Sequence, residues 1–165
     1  TMLYKMMLEE GIQSMLILED DVFFDREAPY IWRQTIIKSI SEAFDTIKQE
    51  SIDYDILYFG RCWDLCEKNQ PLAKGLVSTY FPGCTHAYYI TLKGAEKLAQ
   101  ALFPIQTSLD RAIKTLAYHN KLKCIATESN LFIQNRIIKS ELGHESETLR
   151  LCLDNHNSDS VSIMR

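Results

Sequence analysis

The chain has 165 residues, 46% hydrophobic and 24% charged, with a formal net charge of −4, which is enough for one domain with a real core and short for two. The acidic balance and the lack of a basic stripe exclude phosphate-backbone binding, so no nucleic-acid partner is expected. No apolar stretch approaches the roughly 20 residues that span a bilayer, and no cationic segment with an apolar core opens the chain. No membrane span is therefore expected, and targeting information is absent or was removed.

Met2 to Gly11 reads as a helix, with Gly11 suited to the position just past its end. It begins without a cap or an initiator methionine, as a chain cut within an existing helix would. Ser14 to Leu18 follows as a strand. Its uninterrupted apolar run, Met15-Leu16-Ile17-Leu18, is the pattern of a strand buried on both faces. It runs directly into Glu19-Asp20-Asp21 before apolar character resumes at Val22. Three carboxylates cannot share that burial, so they belong just past the strand's carboxyl end, where open α/β sheets place their ligands. Carboxylates packed this closely repel one another unless a cation or protons intervene. A hard divalent ion, Mn²⁺ or Mg²⁺, suits such oxygen donors. In an extended segment alternate residues project to one side, so Glu19 and Asp21 are expected to face one ligand together. The bland alternative is a solvated acidic turn, but three acids directly after a buried strand favour the metal.

Asp25 to Pro29 reads as a turn, with Pro29 opening a long helix to about Glu50. Trp32, Ile36, Ile37, Ile40, Ala43, Phe44 and Ile47 recur on it at helical spacing as core. Ile56 to Gly60 is a second buried strand, and Arg61 to Lys74 a loop. Leu76 to Phe81 and Thr85 to Ile90 are strands separated by Pro82-Gly83. Thr91 can cap a helix over Leu92 to Leu102, and Ser108 another carrying Leu109, Ala112, Ile113, Leu116 and Ala117 on one face. Lys121 to Thr127 and Leu131 to Ile133 are further strands. Beyond Ile138 the composition turns polar, which divides the chain into a domain over residues 1–142 and a loose tail over 143–165. Strand and helix alternate around a mostly buried sheet, the pattern of an α/β domain.

Five cysteines occur, Cys62, Cys66, Cys84, Cys124 and Cys152. Their spacing does not repeat C-x-x-C, so no structural zinc site is expected. Cys62 and Cys66 lie four apart, either as a disulfide in an oxidising compartment or as two reduced, packed thiols.

Asp110 falls in the first turn of its helix, where the dipole holds a carboxylate ionised. It is then either a general base for an acceptor hydroxyl or a stabiliser of its own helix. His86 can orient a substrate or donate to a phosphate, or be a packed core histidine. Trp63, Asp64, Tyr88 and Tyr89 can meet a sugar face or nucleobase, though core packing explains the tyrosines equally well. His144 stands in the polar tail as solvated loop.

The ordered set Leu16-Ile17-Leu18-Glu19-Asp20-Asp21-Val22, Asp55-Ile56-Leu57-Tyr58-Phe59-Gly60, Cys84-Thr85-His86-Ala87-Tyr88 and Gly94-Ala95-Glu96-Lys97-Leu98 resembles glycosyltransferase family 25. This is the lipooligosaccharide and procollagen galactosyltransferase type. Leu109-Asp110-Arg111-Ala112 and Leu131-Phe132-Ile133-Gln134 continue the match in order. Cys62-Trp63-Asp64-Leu65-Cys66 is closest to the eukaryotic branch. The resemblance implies a type-A glycosyltransferase fold, a Rossmann-like mixed sheet flanked by helices, with the N-terminal nucleotide-binding part missing. It also implies inverting transfer from a UDP-sugar, most often galactose, to a hydroxyl on a glycan or protein. Glu19, Asp20 and Asp21 would then hold Mn²⁺ or Mg²⁺ and the diphosphate, and Asp110 would be the base. His86, Trp63, Asp64, Tyr88 and Gln134 become candidates for contacting donor or acceptor. Eukaryotic members of the family work in the endoplasmic reticulum and Golgi lumen, so that compartment is expected by resemblance alone. Ser140-Glu141-Leu142 only approximates the family's Ser-Asp-hydrophobic segment.

Three alternatives stand beside this. A truncated, inactive transferase-like module would bind without turnover. A phosphorelay receiver also opens with an apolar strand and acids, but needs an aspartate where Gly60 ends the next core strand, and Asp64 comes four residues too late. An Asp-x-Asp phosphohydrolase fits worse, because Glu19 would occupy the nucleophile position.

Overall fold

The computed structural model describes residues 2–23, 29–62, 64, 65 and 68–134, with backbone alone at 29–33. Trp63, Cys66, the segment 135–142 and the tail with His144 lie outside the described residues, as does the side chain of Trp32.

Helix α1 spans Met2–Glu10 and stops at Gly11, whose φ of +67° needs a residue without a Cβ. The Ile12 amide closes the end on the Met7 carbonyl at 2.9 Å, the longer bond of a Schellman turn. Strand β1 (Ser14–Leu18) follows, then β2 (Val22–Phe23), α2 (Pro29–Gln49) and β3 (Ile56–Gly60). A hairpin of β4 (Gln70–Ala73) and β5 (Leu76–Ser78) comes next. It is followed by β6 (Ala87–Thr91), α3 (Leu92–Leu102), α4 (Leu109–Tyr118), β7 (Cys124–Thr127) and β8 (Ile133–Gln134).

Six strands form one mixed sheet in the order β1-β6-β3-β7-β5-β4, and β2 pairs with β8 in a separate two-stranded ribbon. β3 and β7 run parallel, whereas β6 is antiparallel to both β1 and β3. β1, β3 and β7 therefore all point the same way. Every residue of β3 is buried, and alternate side chains serve opposite layers. Ile56 and Tyr58 join Tyr4, Met7, Leu98 and Ile113 beneath α1, α3 and α4. Leu57 and Phe59 join Ile36, Ala43 and Ile47 of α2 on the other face. This is an α/β domain with a mixed sheet between two helical layers, as expected of a type-A glycosyltransferase fold. The antiparallel β6 between β1 and β3 also separates it from the all-parallel receiver topology.

Four local expectations change. β1 is an edge strand, paired on one side only among the described residues, and Leu16 and Leu18 are 43% and 46% exposed. An apolar run signals burial without revealing whether both neighbours are present. Ile37 is 68% exposed, because it sits about 100° off the stripe made by Ile36, Ile40, Ala43 and Ile47. Part of the expected loop Arg61–Lys74 pairs as β4, with Pro71 tolerated on the sheet's far edge. Ser108 occupies the N-cap of α4 without a side-chain cap bond; its hydroxyl donates to Asp110 Oδ1 at 2.6 Å instead.

Thr91 caps α3 as expected, accepting from the Gly94 amide at 3.1 Å. The same residue ties α3 to β3, its backbone amide donating to the Asp55 carbonyl at 3.0 Å. A Cβ on Gly94 would lie 2.5 Å from that carbonyl, so only glycine lets α3 approach so closely. Asp55 is fully buried and accepts from Lys97 Nζ at 2.5 Å and the Lys123 amide at 2.8 Å. The Asp55…Gly94…Lys97 pattern is thus a helix-to-strand clamp.

Candidate active site

The carboxyl ends of β1, β3 and β7 meet the amino end of β6 at one rim of the sheet. Such a rim is where open α/β folds place ligands. Glu19 follows β1, and its amide donates to the His86 carbonyl just before β6, at 3.0 Å. The chain then turns, with the Val22 amide donating to the Glu19 carbonyl at 3.1 Å. Asp20 and Asp21 occupy the corner of that turn, so the alternation expected of an extended segment does not apply. Asp20 is exposed and Asp21 half-buried.

The ribbon β2–β8 places Val22 opposite Gln134, which brings the Gln134 amide to Asp21. Gln134 Nε2 donates to Asp21 Oδ2 at 2.6 Å. The other oxygen, Oδ1, is buried with no hydrogen-bond partner. A buried carboxylate oxygen left without a donor is costly. It is also an available ligand atom for a cation.

Glu19 Oε1 accepts from the Thr85 hydroxyl at 2.5 Å. Burial raises the Glu19 carboxyl above its ordinary pKa, and the like charges of Asp21, Asp110 and Asp20 push it further against the Thr85 bond. Asp110, distant in sequence, therefore faces the same electrostatic neighbourhood as the acidic turn. For Asp110 itself burial acts upward, but the Ser108 hydroxyl, Lys114 and the Arg111 amide outweigh it and hold the carboxyl below its ordinary value. Lys114 Nζ stands 3.5 Å from Asp110 Oδ2, and the Arg111 amide 2.7 Å from Oδ1. Asp110 is held as a carboxylate, whereas burial and like charges work against the ionised form of Glu19. Such divergent environments are how neighbouring carboxyls take different roles.

These donors fit a hard divalent ion. Glu19, Asp20 and Asp21 do not gather into a three-oxygen cage within 4.8 Å among the described residues. An ion of the Mg²⁺ or Mn²⁺ type needs only one or two carboxylates when phosphates and water complete its shell. Asp21 Oδ1 and the exposed Asp20 suit that arrangement.

His86 is buried under the rim, with Nε2 donating to the Phe132 carbonyl at 3.2 Å. A Cβ on Gly60 would stand 2.4 Å from that nitrogen and 2.5 Å from the carbonyl, so Gly60 makes room for the bond. Cys62 is disulfide-bonded to Cys84 rather than to Cys66, joining the end of β3 to the segment before β6. The sequence left Cys62 and Cys66 either paired or reduced; the sheet topology instead carries residues 22 apart to a Cα separation of 5.5 Å. Gln134 Oε1 lies 3.5 Å from Cys62 Sγ and 3.8 Å from Cys84 Sγ.

Two candidates sit in structural roles. Asp64 is buried and accepts from Thr79, from the Leu65 amide and Asn69 at 2.8 Å each, and from the Phe81 amide at 3.2 Å. Arg61 Nε lies 3.3 Å from its Oδ2, so Asp64 organises the loop around it. This engagement also removes it as a phospho-acceptor. Tyr88 is buried in the core, its hydroxyl 2.6 Å from that of Tyr4 and its ring beside Tyr58. Burial drives its phenol far above the ordinary value. Thr85, Cys84 and Lys114 belong to the site without having been singled out. Lys114 was legible as the i+4 partner of Asp110, whereas Thr85 carried no local signal. Two surface clefts, of about 350 and 450 Å³, lie elsewhere: one among Lys68, Gln70, Tyr80 and Tyr118, the other between α2 and the Thr127–Leu131 segment. The chemistry gathers at the acidic rim instead.

The family profile described as glycosyltransferase family 25 (LPS biosynthesis protein) matches residues 1–113. A glycosyltransferase 25 family member of Drosophila melanogaster is 34% identical over 102 residues, 60% of this chain and 15% of that protein. Procollagen galactosyltransferase 1 of Danio rerio is 30% identical over 101 residues, covering 57% and 15%. Procollagen galactosyltransferase 2 of Homo sapiens is 29% identical over 101 residues, covering 59% and 15%. The chain thus spans about 15% of the length of these relatives. The motifs that the profile covers are those that build the rim, from the acidic turn after β1 to Asp110 at the start of α4, and the chain belongs to glycosyltransferase family 25.

Proposed function

We propose that this chain supplies the metal-binding and acceptor-activating part of an inverting glycosyltransferase that moves a sugar, galactose by the names of its relatives, from a UDP-sugar to a hydroxyl of a glycan or protein. The observation that carries this reading is the shared field of Glu19, Asp20, Asp21 and Asp110 at one sheet rim, with Asp21 Oδ1 left without a partner. Asp20 and Asp21 would hold Mn²⁺ or Mg²⁺, which when bound neutralises charge on the departing diphosphate. Gln134 holds Asp21 in orientation by donating to Oδ2. Asp110, kept ionised by Ser108, Lys114 and the Arg111 amide, accepts the proton of the acceptor hydroxyl as it attacks the anomeric carbon opposite the leaving UDP. Among the described residues no helix is long and apolar enough to cross a membrane, and the secretory lumen is the proposed compartment.

Calorimetry with UDP and Mn²⁺ tests the site. Binding of UDP that requires Mn²⁺, and is lost in Asp21→Ala with an unchanged circular dichroism spectrum, is the expected result. Binding that is indifferent to Mn²⁺ or to Asp21 would refute it. A transfer assay separates the enzyme from a binding-only module. Because the chain spans so little of its relatives, weak or no turnover is expected from these 165 residues alone.

A further inference from the structure

Cys62, Cys84 and His86 present three ligand atoms within 4.8 Å of one another, beside the acidic rim but chemically unlike it. His86 Nε2 faces a carbonyl that can only accept, so that nitrogen carries a proton, and in the neutral ring Nδ1 keeps the lone pair. Nδ1 points to Cys62 Sγ at 4.0 Å. Metal-bound histidines are commonly held this way, with one ring N–H tied to a backbone carbonyl and the other nitrogen turned toward the ion's donor cluster. The ring is almost wholly buried, and Gly60 gives it the room to hold this orientation. Gln134 Oε1, within 3.8 Å of both sulfurs, adds a fourth donor atom.

We infer that Cys62, Cys84 and His86 form a redox-gated site for a borderline-soft divalent cation of the zinc class, closed by the disulfide and opened by reduction. Thiolate sulfur and imidazole nitrogen select such ions, whereas the oxygens of Asp20 and Asp21 select hard ones. The opening step is thiol–disulfide exchange with a dithiol reductant. Two electrons pass to the Cys62–Cys84 bond, the reductant becomes a cyclic disulfide, and its two thiol protons end on Cys62 and Cys84. The cation then displaces both protons to solvent as two metal–sulfur bonds form. Metal and disulfide exclude each other, because the ion binds thiolates, which at a tetrahedral angle and bonds of about 2.3 Å stand about 3.8 Å apart, far beyond a disulfide bond.

Cobalt(II) added to the chain before and after treatment with a non-chelating phosphine reductant reads this out. Thiolate-to-cobalt charge-transfer absorption at one equivalent is expected from the reduced protein and not from the oxidised one. It should be lost in Cys84→Ser, kept in Cys66→Ser, and weakened at least about tenfold in His86→Ala. Should the serine variant fail to fold, alkylation of the reduced wild-type chain followed by peptide mass analysis serves instead. Zinc should then protect Cys62 and Cys84 but not Cys66. Absence of the band in the reduced folded protein, its survival in Cys84→Ser, or alkylation of Cys62 and Cys84 at equal rates with and without zinc would each overturn the assignment.

Discussion

Gln134 is the residue on which the acidic turn leans, and replacing it by Leu removes the amide that holds Asp21 Oδ2. Outer-shell partners of this kind typically change metal affinity by about 10–100-fold. Calorimetric titration of Gln134→Leu with Mn²⁺ should show a loss in that range, with the fold intact. Glu19 gives a pH-dependent prediction of opposite character. Its folded-state pKa is raised by burial and by three neighbouring carboxylates, so the native state holds that proton more tightly than the unfolded chain does. Ionising it therefore costs stability as pH rises from the unfolded value, near pH 4.3, through the folded one. In metal-free buffer Glu19→Gln should melt higher than wild type at neutral pH, and the gain should vanish in acid. Equal melting temperatures at both pH values would remove the like-charge account. At this scale the acids, Asp110 and Gln134 were all legible as polar residues at strand ends or in a helix first turn. Their wiring was not, because Asp21 and Gln134, 113 positions apart, are brought together by the β2–β8 ribbon, and a two-residue strand has no periodicity to detect.

Among the elements, the contact between α3 and the start of β3 tolerates no added atom. A methyl group at residue 94 would press on the Asp55 carbonyl, a backbone atom that cannot swing aside. Gly94→Ala should cost about 1–3 kcal/mol in chemical denaturation, despite alanine's better helix propensity. A neutral or stabilising result would mean that α3 can slide on the sheet. The helices were readable because their stripes, caps and stops are local: Gly11 ends α1 and Thr91 begins α3 as their chemistry requires. β3 was readable from its apolar run. β4 was not, since Gln70-Pro71-Leu72-Ala73 lacks strand composition and is recruited by β5. β1 shows the converse failure, an apolar run that looked central yet lies at an edge. Composition reports the preference of a strand, and only tertiary structure reports how far it is met.

The whole molecule is asymmetric about its sheet. At one end β4 closes the order as a short, largely exposed strand carrying Pro71, a feature that discourages further pairing. At the other end β1 carries none of that protection among the described residues. Leu16 and Leu18 stand at its outer rim with neither lysine nor proline near them in the strand. Open amide and carbonyl rows of this kind act as templates for copies of the same chain. In storage the protein should turn cloudy at a rate that climbs steeply with concentration, the particles staining as stacked intermolecular sheet. Leu16→Lys should delay that turbidity while leaving the monomer's circular dichroism unchanged.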